Sequence, residues 1–335
     1  MKASVSSLTS FSACRRRFWL DQTYRTPVPA IPLWVGQVVH AGLESYYRSN
    51  RDCDAMIQGA SKYALTEIAR YEKEMPTIVS VSGELSSSAG DALGYLANYG
   101  QYDELDCLEG TVEKVELPFR IPTLTDPTKF VSGRIDLVLR TPEGRLCIVD
   151  HKTMASRPNL AGLDVDEQIT AYAWAAWRLF GEIPDKVVYN VLVKSFPQKP
   201  RLLARGGLSK DKTQPTTYAL YLQAIDEIGA SALDYLDILD HLSRTGWGNY
   251  FSRVESSRNE DELKAFDRRA ATKIRDIGAI LSNPGVEAYP SPSSFTCGFC
   301  PYLGVCKAMD DGGDYQSMLD VRFISDKPSP SLSVS

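Results

Sequence analysis

Two aspartates and a lysine stand out for what they could do together. Asp136 closes the run Gly133-Arg134-Ile135-Asp136, and Asp150 and Lys152 lie in Ile148-Val149-Asp150-His151-Lys152-Thr153. Residues 130–140 and 145–151 are rich in β-branched and aliphatic side chains and read as strands. Between them, Pro142-Glu143-Gly144 suits a three-residue hairpin loop, with Pro favouring a type I turn and Gly taking the left-handed position. That loop pairs Thr141 with Arg145. Counting back, Asp136 faces Asp150, and Lys152, two residues on, projects from the same side. Ile135, Leu137, Leu139, Cys147 and Val149 fall on the opposite, apolar side, which wants a helix over it. Opposed carboxylates repel one another, and burying them unpaired is costly. A divalent cation between them removes both problems. Hard oxygen donors suit Mg²⁺ or Mn²⁺, and the lysine supplies a cation for a phosphate oxygen or an attacking water. This is equipment for metal-assisted phosphodiester hydrolysis. The competing reading is a salt bridge on a solvated sheet face. The apolar run leading up to Asp150 weighs against it, because it places the charges at one end of a buried sheet.

The elements that must position these groups follow from periodicity. Residues 4–20 read as a helix start with Ser and Thr caps, and 33–48 and 54–74 as helices. The Ser/Gly-rich stretch 77–91 reads as a loop, with a helix after it near 91–107. Strands are expected at 111–120, 130–140, 145–151 and 186–195, and a helix at 165–180 capped by Asp164 and ended by Gly181. Long helical patterns occupy 216–242 and 259–281. The expected fold is α/β: a central mixed sheet flanked by helices, with a helical lobe from the N- and C-terminal parts. The expected division is an N-terminal helical region (1–110) carrying Cys14 and His40, a core (111–200), a C-terminal helical region (201–322) with a cysteine cluster, and a disordered tail (323–335).

Four motifs in this order resemble those of the PD-(D/E)XK nuclease superfamily, in its RecB-like exonuclease branch. They are Gly36-Gln37-Val38-Val39-His40, Gly133-Arg134-Ile135-Asp136, Asp150-His151-Lys152, and Gln168 with Tyr172 one helical turn on. The resemblance spans about residues 4–306 and implies a restriction-endonuclease-like core. It implies that Asp136, Asp150 and His40 bind Mg²⁺ or Mn²⁺, with the backbone carbonyl of His151 a further ligand. Lys152 would orient or deprotonate the water, and Gln168 and Tyr172 would touch the substrate backbone or support Lys152. An acidic residue often precedes the first aspartate in this branch; Glu113 and Glu116 both qualify, and alternation alone does not say which points inward. The implied activity is a DNA nuclease, with exonuclease action in recombination, repair or phage DNA processing as the specific expectation. A DNA-binding subunit of a helicase or recombinase complex is the rival, and an iron–sulfur redox protein a third reading.

Cys297-x-x-Cys300-x5-Cys306 puts three thiols within ten residues, which fits a soft-metal site lacking a fourth ligand. Cys14 is the natural fourth. One distant cysteine with this C-terminal cluster resembles the iron–sulfur-stapled nucleases of the AddB and CRISPR-adaptation type, which implies a 4Fe–4S cluster. Spacing alone leaves a structural Zn²⁺ open. Cys53, Cys107 and Cys147 read as small buried hydrophobes.

Composition narrows the rest. With 43% hydrophobic and 24% charged residues among 335, the chain is that of an ordinary globular protein. It has no long apolar run for a membrane span and no secretory pattern, so a cytoplasmic location is expected. The net charge of −5 makes any nucleic-acid contact a matter of local strips. Candidates are Arg15, Arg16 and Arg17, and Lys194, Lys199, Arg201, Arg205, Lys210 and Lys212. Tyr172, Trp174, Phe196 and Arg201 are candidates for lining a channel for a DNA single strand or end. There is no GxxxxGK[ST] motif, so any unwinding would fall to a helicase partner, and no Gly-rich dinucleotide motif supports a redox enzyme.

Overall fold

Strand pairing organises the molecule, and one strand in particular. The computed structural model describes residues 1–74, 79–105, 108–156, 160–283 and 285–325. Six strands form a mixed sheet: β1 (Lys2–Ser4), β3 (Thr111–Pro122), β4 (Phe130–Arg140), β5 (Leu146–Met154), β6 (Lys186–Val193) and β7 (Phe251–Ser256). A separate pair joins β2 (Tyr24–Arg25) to β8 (Ile324–Ser325). The order is β1-β4-β5-β6-β7, with β3 along the other edge of β4. β1 with β4 and β5 with β6 are parallel, and the remaining pairs are antiparallel.

Helices cover both faces. On one lie α3 (Ile31–Arg48), α4 (Cys53–Glu74) and α5 (Val79–Leu105), packing Trp34, Val38, Leu43 and Leu96 over Leu137, Leu139, Cys147 and Val149. On the other lie α1 (Val5–Ala13), α6 (Glu167–Phe180) and α9 (Glu260–Ser282), packing Leu8, Ile169, Trp174 and Phe266 over Val138 and Ile148. Ile135, expected with Leu137, groups with this second core. It lies where β4 has lost β5 as its neighbour. A small third core, made by α7 (Tyr218–Glu227) and α8 (Leu236–Thr245), is inserted between β6 and β7. After α9 come α10 (Ser294–Gly298), α11 (Leu303–Asp311) and α12 (Tyr315–Arg322), packed by Tyr302, Val305 and Leu319 on Leu20 of α2 (Arg15–Asp21). Among the described residues no helix is long and apolar enough to cross a membrane.

The hairpin is as counted. Thr141 and Arg145 share a hydrogen bond, Gly144 has φ 80°, and the ladder runs from Arg140↔Leu146 to Leu137↔Val149. Other expectations need correction. The loop expected at 77–91 is, over its described part, the start of α5. Leu85, Ala89, Ala92, Leu96 and Tyr99 recur at helical spacing and are buried, so packing outweighs the low helix propensity of the Ser and Gly between them. The cap of α6 is Asp166, whose side chain accepts from Ile169 N–H. Asp164 lies in a 3₁₀ turn (Leu160–Val165) and accepts from Ser256 Oγ. The helix expected at 4–20 breaks at Cys14, which is extended (φ −164°). Residues 324–325, assigned to the tail, form β8. Phe323, also assigned to the tail, stacks on Tyr302; residues 326–335 and Cys107 lie outside the described residues, and Cys53 is only half-buried.

Candidate active site and cysteine pocket

β4 changes neighbours where the site forms. On the edge away from β3, Phe130–Ser132 pair with β1 and Leu137–Arg140 pair with β5. Between them, Gly133–Asp136 have no strand partner on that edge among the described residues. Beyond Val149, β5 leaves β4 and continues beside β6 as far as Met154↔Val193. The parting strands open a cleft, and the His151 N–H turns to Asp136 Oδ2 at 2.9 Å instead of to a neighbouring strand.

Three potential ligands converge there. His40 Nδ1, on α3, is 3.6 Å from Asp136 Oδ2. His40, Glu116 and Asp136 each offer an atom within 4.8 Å of the others, the one such group of three among the described residues. Glu116 is the residue that sequence reading left undecided. A register shift between Val112 and Lys114 resets the alternation of β3, and Glu116 then stands opposite Asp136. Glu113 instead accepts from Arg140 Nε at 2.9 Å. Glu116 has φ 53°, a left-handed backbone inside a strand. For a residue with a Cβ that conformation costs about 1–2 kcal/mol, and such strain concentrates at functional sites. Burial, then repulsion from Asp136, pushes the Glu116 carboxyl up to about 7 against the opposing pull of Arg134 and His40. Arg134 Nε holds Glu116 at 3.1 Å.

Asp150 and Lys152 form the adjoining half. Asp150 is 2% exposed, and burial, only partly offset by Lys152, raises its carboxyl above the usual range. Its Oδ2 lies 2.8 Å from Lys152 Nζ yet accepts no well-directed hydrogen bond. Lys152 Nζ also donates to Gln168 Oε1 at 2.8 Å, and Gln168 Nε2 donates to Tyr172 Oη at 2.9 Å. The ammonium sits 5.6 Å from the centre of the Tyr189 ring. Gln168 and Tyr172 thus face Lys152 from α6 as a two-step brace. The His151 ring points to the opposite side of the sheet. It is buried, stacked on Tyr47, bonded through Nδ1 to Asn190, and kept neutral by burial. A cavity of about 410 Å³ opens onto His40, Glu44, Glu116, Arg134, Asp136 and Tyr172.

The donor set suits a hard divalent cation: carboxylate oxygens, an imidazole nitrogen, and a buried carboxylate oxygen without a directed hydrogen bond. A profile of the PD-(D/E)XK nuclease superfamily matches residues 2–307. The chain belongs to that superfamily. Its mixed sheet flanked by helices is the superfamily's fold, and members use divalent metals at such sites. Among solved structures, this nuclease is similar to SSO0001 at 14% identity and TM-score 0.36, covering 92% of this chain and 86% of that one. It is similar also to a "Putative exonuclease" from Eubacterium rectale at 14% identity and TM-score 0.43, covering 90% and 86%. No curated protein matches.

The nuclease has a second constellation. Cys14, Cys297, Cys300 and Cys306 all line one small cavity of about 40 Å³, walled by Leu20, Pro290 and Tyr302. The break between α1 and α2 at Cys14 brings its thiol there, where Sγ accepts from Ser291 N–H at 3.5 Å. Buried Arg16 donates to Cys306 Sγ at 3.4 Å and to Asp310 at 2.6 Å. Of the basic strip at 15–17, Arg16 is not available to a phosphate track. Arg16 is inside, Arg15 stacks over Phe11 and Tyr289, and Arg17 pairs with Asp21. In the second strip, Lys199 pairs with Glu227 and Lys212 with Asp237. Trp174 lines no channel either: it is 0% exposed and donates to Asp267 at 3.2 Å. Its place on α6 faces α9, a matter of packing that a lone Trp does not announce.

Proposed function

We propose that this chain is a divalent-metal-dependent deoxyribonuclease, acting as an exonuclease on single-stranded DNA or DNA ends in recombination, repair or phage DNA processing. The observation that carries the reading is the closeness of two half-sites, near enough that Asp150 feels the charges of both Asp136 and His40. His40, Glu116 and Asp136 are gathered on one side, and Asp150 with Lys152, braced by Gln168, on the other. His40, Asp136 and Asp150 would hold Mg²⁺ or Mn²⁺, with Glu116 and the His151 carbonyl as further ligands. The ion, when bound, supplies Lewis acidity at a phosphate oxygen and a water of lowered pKa. Lys152 Nζ, fixed between Asp150 and Gln168, orients the attacking water and offsets charge developing on the phosphate. Gln168 and Tyr172 keep that ammonium from swinging away. Arg134, which lines the cleft and pairs with Glu116, would meet a phosphate oxygen of the substrate.

The four thiols would hold a 4Fe–4S cluster that fastens α2 to the C-terminal helices. A structural Zn²⁺ on the same four thiols is the alternative, and iron content separates the two. Unwinding of duplex DNA would need a helicase or recombinase partner.

The test is cleavage of end-labelled single- and double-stranded DNA with Mg²⁺, Mn²⁺ or EDTA, by protein purified without oxygen. Metal-dependent cleavage that disappears in Lys152→Ala is the expected result, and the product ladder gives the polarity. A folded, metal-loaded wild type that cuts neither substrate would turn the reading to a DNA-binding subunit.

A further inference from the structure

Phe196 is a large aromatic ring left 40% exposed just beyond β6. Its setting is built rather than loose. The ring stacks on Tyr95 of α5, with centroids 4.6 Å apart and planes at 27°. Room for it is made by Gly94, where any Cβ would come within 2.6 Å of Phe196 Cε1. Tyr95 is itself buried, so one face of Phe196 is fixed against the core and the other meets solvent. The position is close to the chemistry. Lys152 pairs with Val191, and Lys194 N–H bonds Met154 O at 2.7 Å, so β6 carries the chain straight off the catalytic end of the sheet. Five residues separate Val191 from Phe196, a reach of at most about 18 Å. The segment continues into the insertion that carries α7 and α8, with Lys194 two residues before Phe196 and the exposed Arg201 five after it. Of the aromatic candidates for lining a channel, Tyr172 and Trp174 are buried, and Phe196 is the one that shows a free face.

We propose that Phe196, backed by Tyr95, is a stacking platform for one base of a DNA single strand, a few nucleotides from the bond that is cut. The inference rests on the nuclease reading and names where the strand runs. A rigid π-face next to cations is what sequence-tolerant single-strand binding uses, since every base has a face to stack. A duplex, whose bases are already stacked, has none to offer there. The platform therefore also favours single strands or frayed ends over intact duplex.

The experiment uses the full chain with its metals and single-stranded oligonucleotides carrying 2-aminopurine at successive positions. Binding is read with Ca²⁺ in place of Mg²⁺, and hydrolysis separately with Mn²⁺. In the wild type one position, two or three nucleotides from the scissile bond, is quenched. Phe196→Ala loses that quench and weakens single-strand binding between about fivefold and a hundredfold. Phe196→Trp retains both, and Phe196→Leu does not. Placing an abasic site at the quenched position weakens wild type but not Phe196→Ala. If Phe196→Ala binds and quenches as wild type does, or is equally sensitive to the abasic site, the platform is wrong even though the enzyme cuts DNA. A wild type that shows the quench but hydrolyses nothing would overturn the nuclease reading and leave the platform standing.

Discussion

Glu116 is where local strain and chemistry meet. Its carboxyl is raised to about 7 from an ordinary 4.5, so through this group the metal-free protein is most favoured below pH 4.5 and loses that contribution as pH rises through about 7. A bound cation needs the deprotonated form and reverses the trend. The rise in Tm on adding Mn²⁺ should therefore grow between about pH 5.5 and about pH 8, and Glu116→Gln should flatten the growth. A second prediction concerns the brace. Gln168→Leu removes a hydrogen bond from Lys152 without touching a metal ligand. We expect kcat to fall about tenfold to a hundredfold with little change in KM, the usual cost of losing an outer partner. A parallel loss in KM would instead mean that Gln168 binds the substrate. Asp136, Asp150 and Lys152 could be picked out as residue types at set intervals, and His40, Gln168 and Tyr172 from the family motifs they resemble. Glu116 could not, because a single extra residue at the β3 bulge flips every later side chain to the other face, and alternation carries no sign of it.

At the scale of the element, α6 delivers Gln168 and Tyr172, and its first turn is held by Asp166. Asp166→Ala should cost about 1 kcal/mol in urea unfolding. It should also reduce kcat, because Gln168 lies within the turn that frays. Restoring the cap with Asn should recover both. The hairpin register could be counted from the sequence because a Pro-x-Gly loop fixes its own geometry. The start of α5 could not, since its composition points to a loop and only the core formed with α3 makes it a helix. Trp174 misleads in the same way. Its neighbours on α9 lie about ninety residues away, and no local pattern names them.

For the whole molecule, the two termini are joined twice, by the β2–β8 pair and by the thiol-lined cavity. Cys300→Ser should abolish absorbance near about 400 nm if the cavity holds an iron–sulfur cluster. It should also lower Tm and open the segment beyond α9 to limited proteolysis, while the sheet core of β3–β6 resists. Iron content, measured on the same sample, separates the cluster from zinc. The general plan of sheet, flanking helices and chain closure was readable from periodicity and from the cysteine spacing. The insertion of α7 and α8 between β6 and β7 was not, since helical patterning says nothing of which strands a lobe interrupts.

The position of Cys14 also has a consequence in time. The ribosome releases it roughly 280 residues before Cys297, an interval of about a quarter of a minute to a minute at ordinary elongation rates of about 5–20 residues per second. Throughout that interval the thiol on the α1–α2 break has none of its three partners, and β3–β6 emerge and can pair before any of them exists. Whatever the cavity receives can therefore be held by all four thiols only once Cys306 has emerged, after β3–β6 have had time to pair.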